Sequence, residues 1–206
     1  MSSNRIISGR INTNSKWNTG DLESTKTREY LEIRAKLPAK FQGDDFNGAW
    51  PAVWIRSKTE REGFIYDSVN GNPILRMSLQ LDDEHSEVVT FPIMNTADIS
   101  KDGIILGLEW DIKEEIGQIN VTWHTTFYKP EWNFWSNIRR TLSFNQETDP
   151  GIYQRLYYSF MNSKGFYAVI NLAEGGTFTG CYSYSCVLVN DEPQYLIIDS
   201  AKVYGM

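Results

Sequence analysis

Tyr30-Leu-Glu-Ile-Arg-Ala-Lys-Leu37 alternates without a break, with Glu32, Arg34 and Lys36 on one side and Leu31, Ile33, Ala35 and Leu37 on the other. Successive side chains of an extended strand point to opposite faces, so this period of two predicts a strand with one buried face. Ile74-Leu-Arg-Met-Ser-Leu-Gln-Leu81 repeats it, setting Arg76, Ser78 and Gln80 against Leu75, Met77, Leu79 and Leu81. Further strands are expected over residues 48–56, 103–111, 118–128, 166–173 and 194–204. Turn-forming residues separate them, in Asn70-Gly-Asn-Pro73, Lys101-Asp-Gly103, Glu174-Gly-Gly176 and Asn190-Asp-Glu-Pro193. A 3.6-residue period is scarcely present, and no repeat or linker interrupts the pattern. The expectation is one all-β domain over residues 1–206.

The chain of 206 residues is long enough for one large β-sandwich with a substantial core. Its net charge of −6, without a basic cluster, argues against a nucleic-acid partner or an anionic membrane. No apolar run has the length of a membrane-spanning helix, and Met1 leads directly into Ser-Ser-Asn-Arg with no secretion signal in view. Cys181 and Cys186 match no common zinc spacing and leave two readings, a small bridge or two plain thiols. Neither a metal nor another cofactor is implied. Asn120-Val-Thr122 is a glycosylation sequon, but it falls inside an expected strand. Trp132-Asn-Phe-Trp135 fits either a stacking lip beside a cleft or a packed loop anchor.

On several strands the polar face carries large charged groups opposite an aliphatic face. Such a face is either simply solvated or the lining of a concave cleft. Four segments bear on that choice. They are Ser8-Gly-Arg-Ile-Asn-Thr13; Tyr30 to Pro38 followed by Gly48-Ala-Trp-Pro-Ala-Val-Trp54; Phe166-Tyr-Ala-Val-Ile-Asn-Leu-Ala-Glu-Gly-Gly176; and Tyr195-Leu-Ile-Ile-Asp-Ser-Ala-Lys-Val-Tyr204. In this order they resemble the conserved strands of glycoside hydrolase family 16, the laminarinase or endo-β-1,3(4)-glucanase type. The resemblance implies a jelly-roll β-sandwich of the concanavalin A-like lectin/glucanase class, in a family that is usually extracellular. It also implies a polysaccharide or oligosaccharide partner of β-glucan type in a concave cleft. Glu32, Arg34 and Asn171 match positions where family members contact sugar, and their carboxylate, guanidinium and amide suit hydroxyl groups. Trp50 and Trp54 share one strand face and fit either a stacking wall or the core.

The family's catalytic strand reads Glu-Ile-Asp-Ile-Met-Glu, with the first Glu as nucleophile and the last as acid/base. Here the matching stretch is Glu62-Gly-Phe-Ile-Tyr-Asp67. Glu62 and Asp67 have opposite parity, so a bulge is needed to aim both into one cleft. Asp67 is one methylene short of a Glu, withdrawing the acid by about 1.5 Å. Retaining chemistry needs its carboxyl groups about 5–5.5 Å apart. Phe64 stands where the family has a supporting Asp; it offers neither charge nor hydrogen bond and desolvates Glu62. Arg76 and Gln80 replace two histidines of the neighbouring strand. A second register places Arg76, Ser78 and Gln80 at the catalytic positions and leaves no carboxylate at all. Glu62 and Asp67 also read as solvated acids at a loop edge.

Three functions follow from the resemblance. The first is glycan binding by a hydrolase-derived cleft with little or no turnover. The second is an active endo-β-glucanase with Glu62 as nucleophile and Asp67 as acid/base. The third is a structural or assembly protein that has lost the cleft. Only seven residues precede Ser8, where family members usually carry further strands, so an exposed sheet edge is also expected, covered by a second copy in a homodimer, by a partner segment, or by a rearranged local strand such as Asn4 to Arg10.

Overall fold

The computed structural model describes residues 9–12, 28–36, 49–56, 61–69, 72–80, 86–92, 101–129, 134–162, 167–174 and 195–205. Among them the chain runs through β1 (Gly9–Asn12), β2 (Arg28–Lys36), β3 (Ala49–Arg56), β4 (Arg61–Val69), β5 (Asn72–Gln80) and β6 (Ser86–Pro92). It continues through β7 (Ile104–Lys113), β8 (Gln118–Lys129), β9 (Phe134–Asn145), the helix α1 (Pro150–Tyr157), β10 (Tyr167–Glu174) and β11 (Ile197–Gly205). The strands form two antiparallel sheets, one of six in the order β1-β10-β3-β4-β5-β6 and one of five in the order β11-β2-β7-β8-β9. Hairpins link β3 to β6 and β7 to β9 in sequence. The late strands β10 and β11 return to pair beside β3 and β2. The result is an all-β jelly-roll sandwich.

The alternation in the sequence becomes the core. Leu31, Ile33 and Ala35 of β2 face inward, with Leu106, Leu108 and Trp110 of β7 and Val121 and Trp123 of β8. From the other sheet they meet Val53 and Ile55 of β3, Met77 and Leu79 of β5, and Ile170 of β10. The expected turn at Lys101-Asp-Gly103 is present, with Gly103 at φ 85°, a left-handed backbone that favours glycine. Asn120 lies within β8, as expected, where its side-chain oxygen accepts from Gln118 Nε2 and Ser143 Oγ.

Three elements were not legible: β6, which is absent from the expected strands, β9 and α1. β9 pairs regularly with β8, yet its inward row Ile138, Arg140, Leu142, Phe144 is interrupted by a charged residue. As the last strand of its sheet it tolerates Arg140, which stays exposed. The helix α1 is eight residues long and buries only Tyr153 and Leu156, too few to display a period. Pro150 opens it, as suits a first-turn proline, and the Tyr153 N–H donates to the Asp149 carbonyl at 2.9 Å. The π-type turn Tyr158–Asn162 that follows lays Phe160 on Trp110, ring centroids 5.2 Å apart and 7° from parallel.

Candidate functional site

β10 and β3 pair with Asn171 opposite Ala52 and Val169 opposite Trp54. Since Val53, Ile55 and Ile170 enter the core, Trp54, Ala52 and Asn171 take the outer face of the six-stranded sheet. There the Trp54 indole N–H donates to Asn171 Oδ1 at 2.8 Å. An indole nitrogen can only donate, so the amide oxygen must face it and the amide NH2 is turned elsewhere. Asn171 and Ala52 are withdrawn from solvent, while Trp54 is half-buried. In the register, Gly63 of β4 stands opposite Trp54, and Ser78 of β5 opposite Gly63. Trp50 lies opposite Ala173; its side chain is outside the described residues.

The stretch matched to the catalytic strand forms β4, between β3 and β5. Its pairing with β5 is one-to-one from Arg61 opposite Gln80 to Val69 opposite Asn72. Glu62 stands opposite Ile55 and Leu79, Phe64 opposite Val53 and Met77, and Asp67 opposite Ile74. The register row of Glu62 is thus shared with two core residues, and Asp67, five positions on, has the opposite parity. The side chains of β4, and those of Arg76 and Gln80, are outside the described residues, as are Cys181, Cys186 and Trp132.

Glu32 and Arg34 are held by β2, in the five-stranded sheet, and point away from the core. The structure therefore does not bring them together with Asn171: the three sit on opposite outer faces of the sandwich. The alternation reveals which residues of a strand share a face, but not which sheet the strand joins. Arg34 Nε donates to Glu32 Oε1 at 3.1 Å.

A polar cluster that the sequence reading missed surrounds that pair. Glu109 of β7 is buried on the outward side, although it belongs to a sheet face. Its Oε1 accepts from Arg28 Nε at 2.9 Å, and its Oε2 lies 2.8 Å from His124 Nε2. A buried carboxylate needs such partners. Tyr30 lies across Gly107, where an added Cβ would come within 2.3 Å of the phenol oxygen, so a side chain there would displace the ring. The Tyr30 ring meets the His124 ring edge at 5.5 Å and runs near-parallel to Tyr204, 6.0 Å away. The one sequence signal was Glu109 itself, a carboxylate within the otherwise apolar Ile-Ile-Leu-Gly-Leu-Glu-Trp110.

No family model and no curated protein sequence matches the chain. Solved structures do. The endo-1,3-beta-glucanase of Streptomyces sioyaensis is similar with a TM-score of 0.60 at 16% identity, over 95% of this chain and 69% of that one. The chain has a glucanase-type fold. A glycosyl hydrolase family protein from Mycobacterium fortuitum is similar at TM-score 0.50 and 15% identity, over 95% and 68% of the two chains. A pseudo beta-1,3-glucanase of Mycobacterium tuberculosis follows at 0.47 and 17%, over 87% and 66%.

The two outer faces of this glucanase-type sandwich offer different chemistry. Beside Trp54 an amide is oriented to donate; around Tyr30 the groups are mutually paired. Burial, then the carboxylates of Glu32 and Glu109, push the Tyr30 phenol up to about 12, with Arg34 opposing. Above the ordinary tyrosine value of 10 the unfolded chain has lost this proton while the native protein still holds it. The stabilisation is complete below that value and is lost as pH rises toward about 12. Tyr30→Phe should flatten this loss. Urea midpoints at about pH 9 and about pH 11 should fall further for wild type than for the variant. Equal falls would show that Tyr30 ionises normally.

Proposed function

We propose that this glucanase-type sandwich is a laminarinase-type relative of glycoside hydrolase family 16, and that it binds a β-glucan-type glycan with little or no turnover. The binding face is the outer face of the six-stranded sheet. The observation that carries this reading is the Trp54–Asn171 pair, an indole whose hydrogen bond turns the amide NH2 away from itself. A ring that can stack beside an oriented donor is what a sugar chain requires for orientation. Low turnover is supported by the regular register of β4, which gives Glu62 and Asp67 opposite parity, and by Phe64 between them.

Trp54→Ala removes both the ring and the group that orients Asn171. Truncating a central aromatic contact costs about 2 kcal/mol or more, so affinity for laminarin should fall about thirtyfold. Calorimetric titration of the folded variant checks this, and unchanged affinity would refute the placement.

The homodimer belongs to the same proposal. β11 is an outer strand of its sheet, and among the described residues no strand pairs with its far side. Ile197 and Val203 are exposed along it, 54% and 39%. Open strand edges recruit other strands, and a second copy carries a matching edge. Light scattering over a concentration series should show a rising dimer fraction; a monomer at every concentration would overturn this.

A further inference from the structure

We propose that the outer face of the five-stranded sheet is a second carbohydrate platform, taking a short, neutral β-linked oligosaccharide over Tyr204 and Tyr30 with Glu32 and Arg34 as its polar rim. It rests on the carbohydrate reading of the sandwich but places a separate site on the opposite side from Trp54 and Asn171.

Register assembles the platform from four strands. Tyr204 of β11 stands opposite Tyr30 of β2, and Tyr30 opposite Glu109 of β7; one row on, Glu32 stands opposite Gly107, and Gly107 opposite His124 of β8. The two phenol rings are 26° from parallel, and Tyr204 is 40% exposed. Tyr30 backs it and is held in place from beneath and from the side. Gly107 leaves room for the phenol end, His124 presents its ring against Tyr30, and Arg28 and His124 secure Glu109 in the floor. Ordering such a surface before the ligand arrives lowers the cost of binding.

The rim supplies what sugar hydroxyls need. Arg34 uses its Nε, and Glu32 its Oε1, on each other. Among the described residues nothing else engages Glu32 Oε2 or the terminal nitrogens of Arg34, whose side chain is 50% exposed. An acceptor and several donors therefore stand together beside an exposed ring, a match for adjacent hydroxyls on a flat pyranose. Of the cations nearest the rings, Arg28 is paired with Glu109 and Arg34 with Glu32, while exposed Lys202 stands opposite Glu32 in the register. Acids and bases thus alternate around the rings, which favours a neutral ligand over a nucleic acid or an anionic membrane, since those call for a uniformly basic surface.

The test is titration of full-length protein with a β-1,3-linked glucohexaose, followed by calorimetric stoichiometry and by amide chemical shifts. Wild type should show two sites. Tyr204→Ala, at a partly exposed position and checked for folding by its amide spectrum, should leave one site and erase the shifts on β2, β7 and β11. Arg34→Ala should weaken that site about tenfold and leave the other unchanged. Trp54→Ala should do the reverse. If Trp54→Ala removes all binding, or Tyr204→Ala changes nothing, the platform is overturned while the proposed function stands. If Tyr204→Ala removes all binding, the platform stands and the Trp54 face does not bind. A wild type that binds no glucohexaose overturns both.

Discussion

Wild-type protein is expected to release reducing ends from laminarin and lichenan at least about ten-thousandfold more slowly than an ordinary retaining glucanase. General acid catalysis contributes about 10²- to 10⁴-fold, and a misplacement of about 1 Å costs about 10²-fold. Both apply here. On the proposed match to the family's catalytic strand, Asp67 is a methylene shorter than the glutamate expected there, and β4 pairs one-to-one with β5 through the stretch where a bulge would have to turn it toward Glu62. On the same match, Phe64 stands where a carboxylate would tune protonation between them. Reducing-sugar release measured beside laminarin binding checks the expectation. Turnover at the rate of an ordinary enzyme, abolished by Glu62→Gln, would overturn it and make the protein a working endo-glucanase.

Trp110→Ala should destabilise the protein by about 3–5 kcal/mol, the range for deleting a large aromatic side chain from a packed core. Trp110 is fully buried on β7, among residues contributed by both sheets. Its stacking on Phe160 is also what docks the turn after α1, so the cavity opens where sheet and helix meet. For a chain of this size the thermal midpoint should fall by about 10 °C. Urea unfolding of the variant beside Trp54→Ala separates core from surface, with the outer-face substitution expected to cost much less. A loss under about 1 kcal/mol for Trp110→Ala would mean that α1 and the sheets are not packed as one core.

The strands that could be read were those buried on one side only. In β2 and β5 the inward row is aliphatic at Leu31, Ile33, Ala35, Met77 and Leu79 and the outward row polar at Glu32, Arg34 and Ser78, so burial writes itself into the sequence at every second position, with the buried Glu29 as the exception. The same rule failed where burial was incomplete or lay elsewhere. β9 carries Arg140 in its inward row, and α1 buries two side chains in two turns. Pattern reading needs a contrast between faces, and neither element provides one.

The candidate sites divide along the same line. The sequence by itself determined the all-β class and the inward face of β2 and β5, because each depends on residues adjacent in the chain. Only the tertiary structure decided that Trp54 meets Asn171, 117 positions away, and that Glu32 and Arg34 lie on the opposite outer face. It also gathered Arg28, Tyr30, Glu109, His124 and Tyr204 into one cluster from four strands. Alternation specifies a strand's two faces, but which sheet it joins is set by long-range pairing among strands whose local patterns are alike. That choice is made by the packing of the whole core, and it is not written in any one strand.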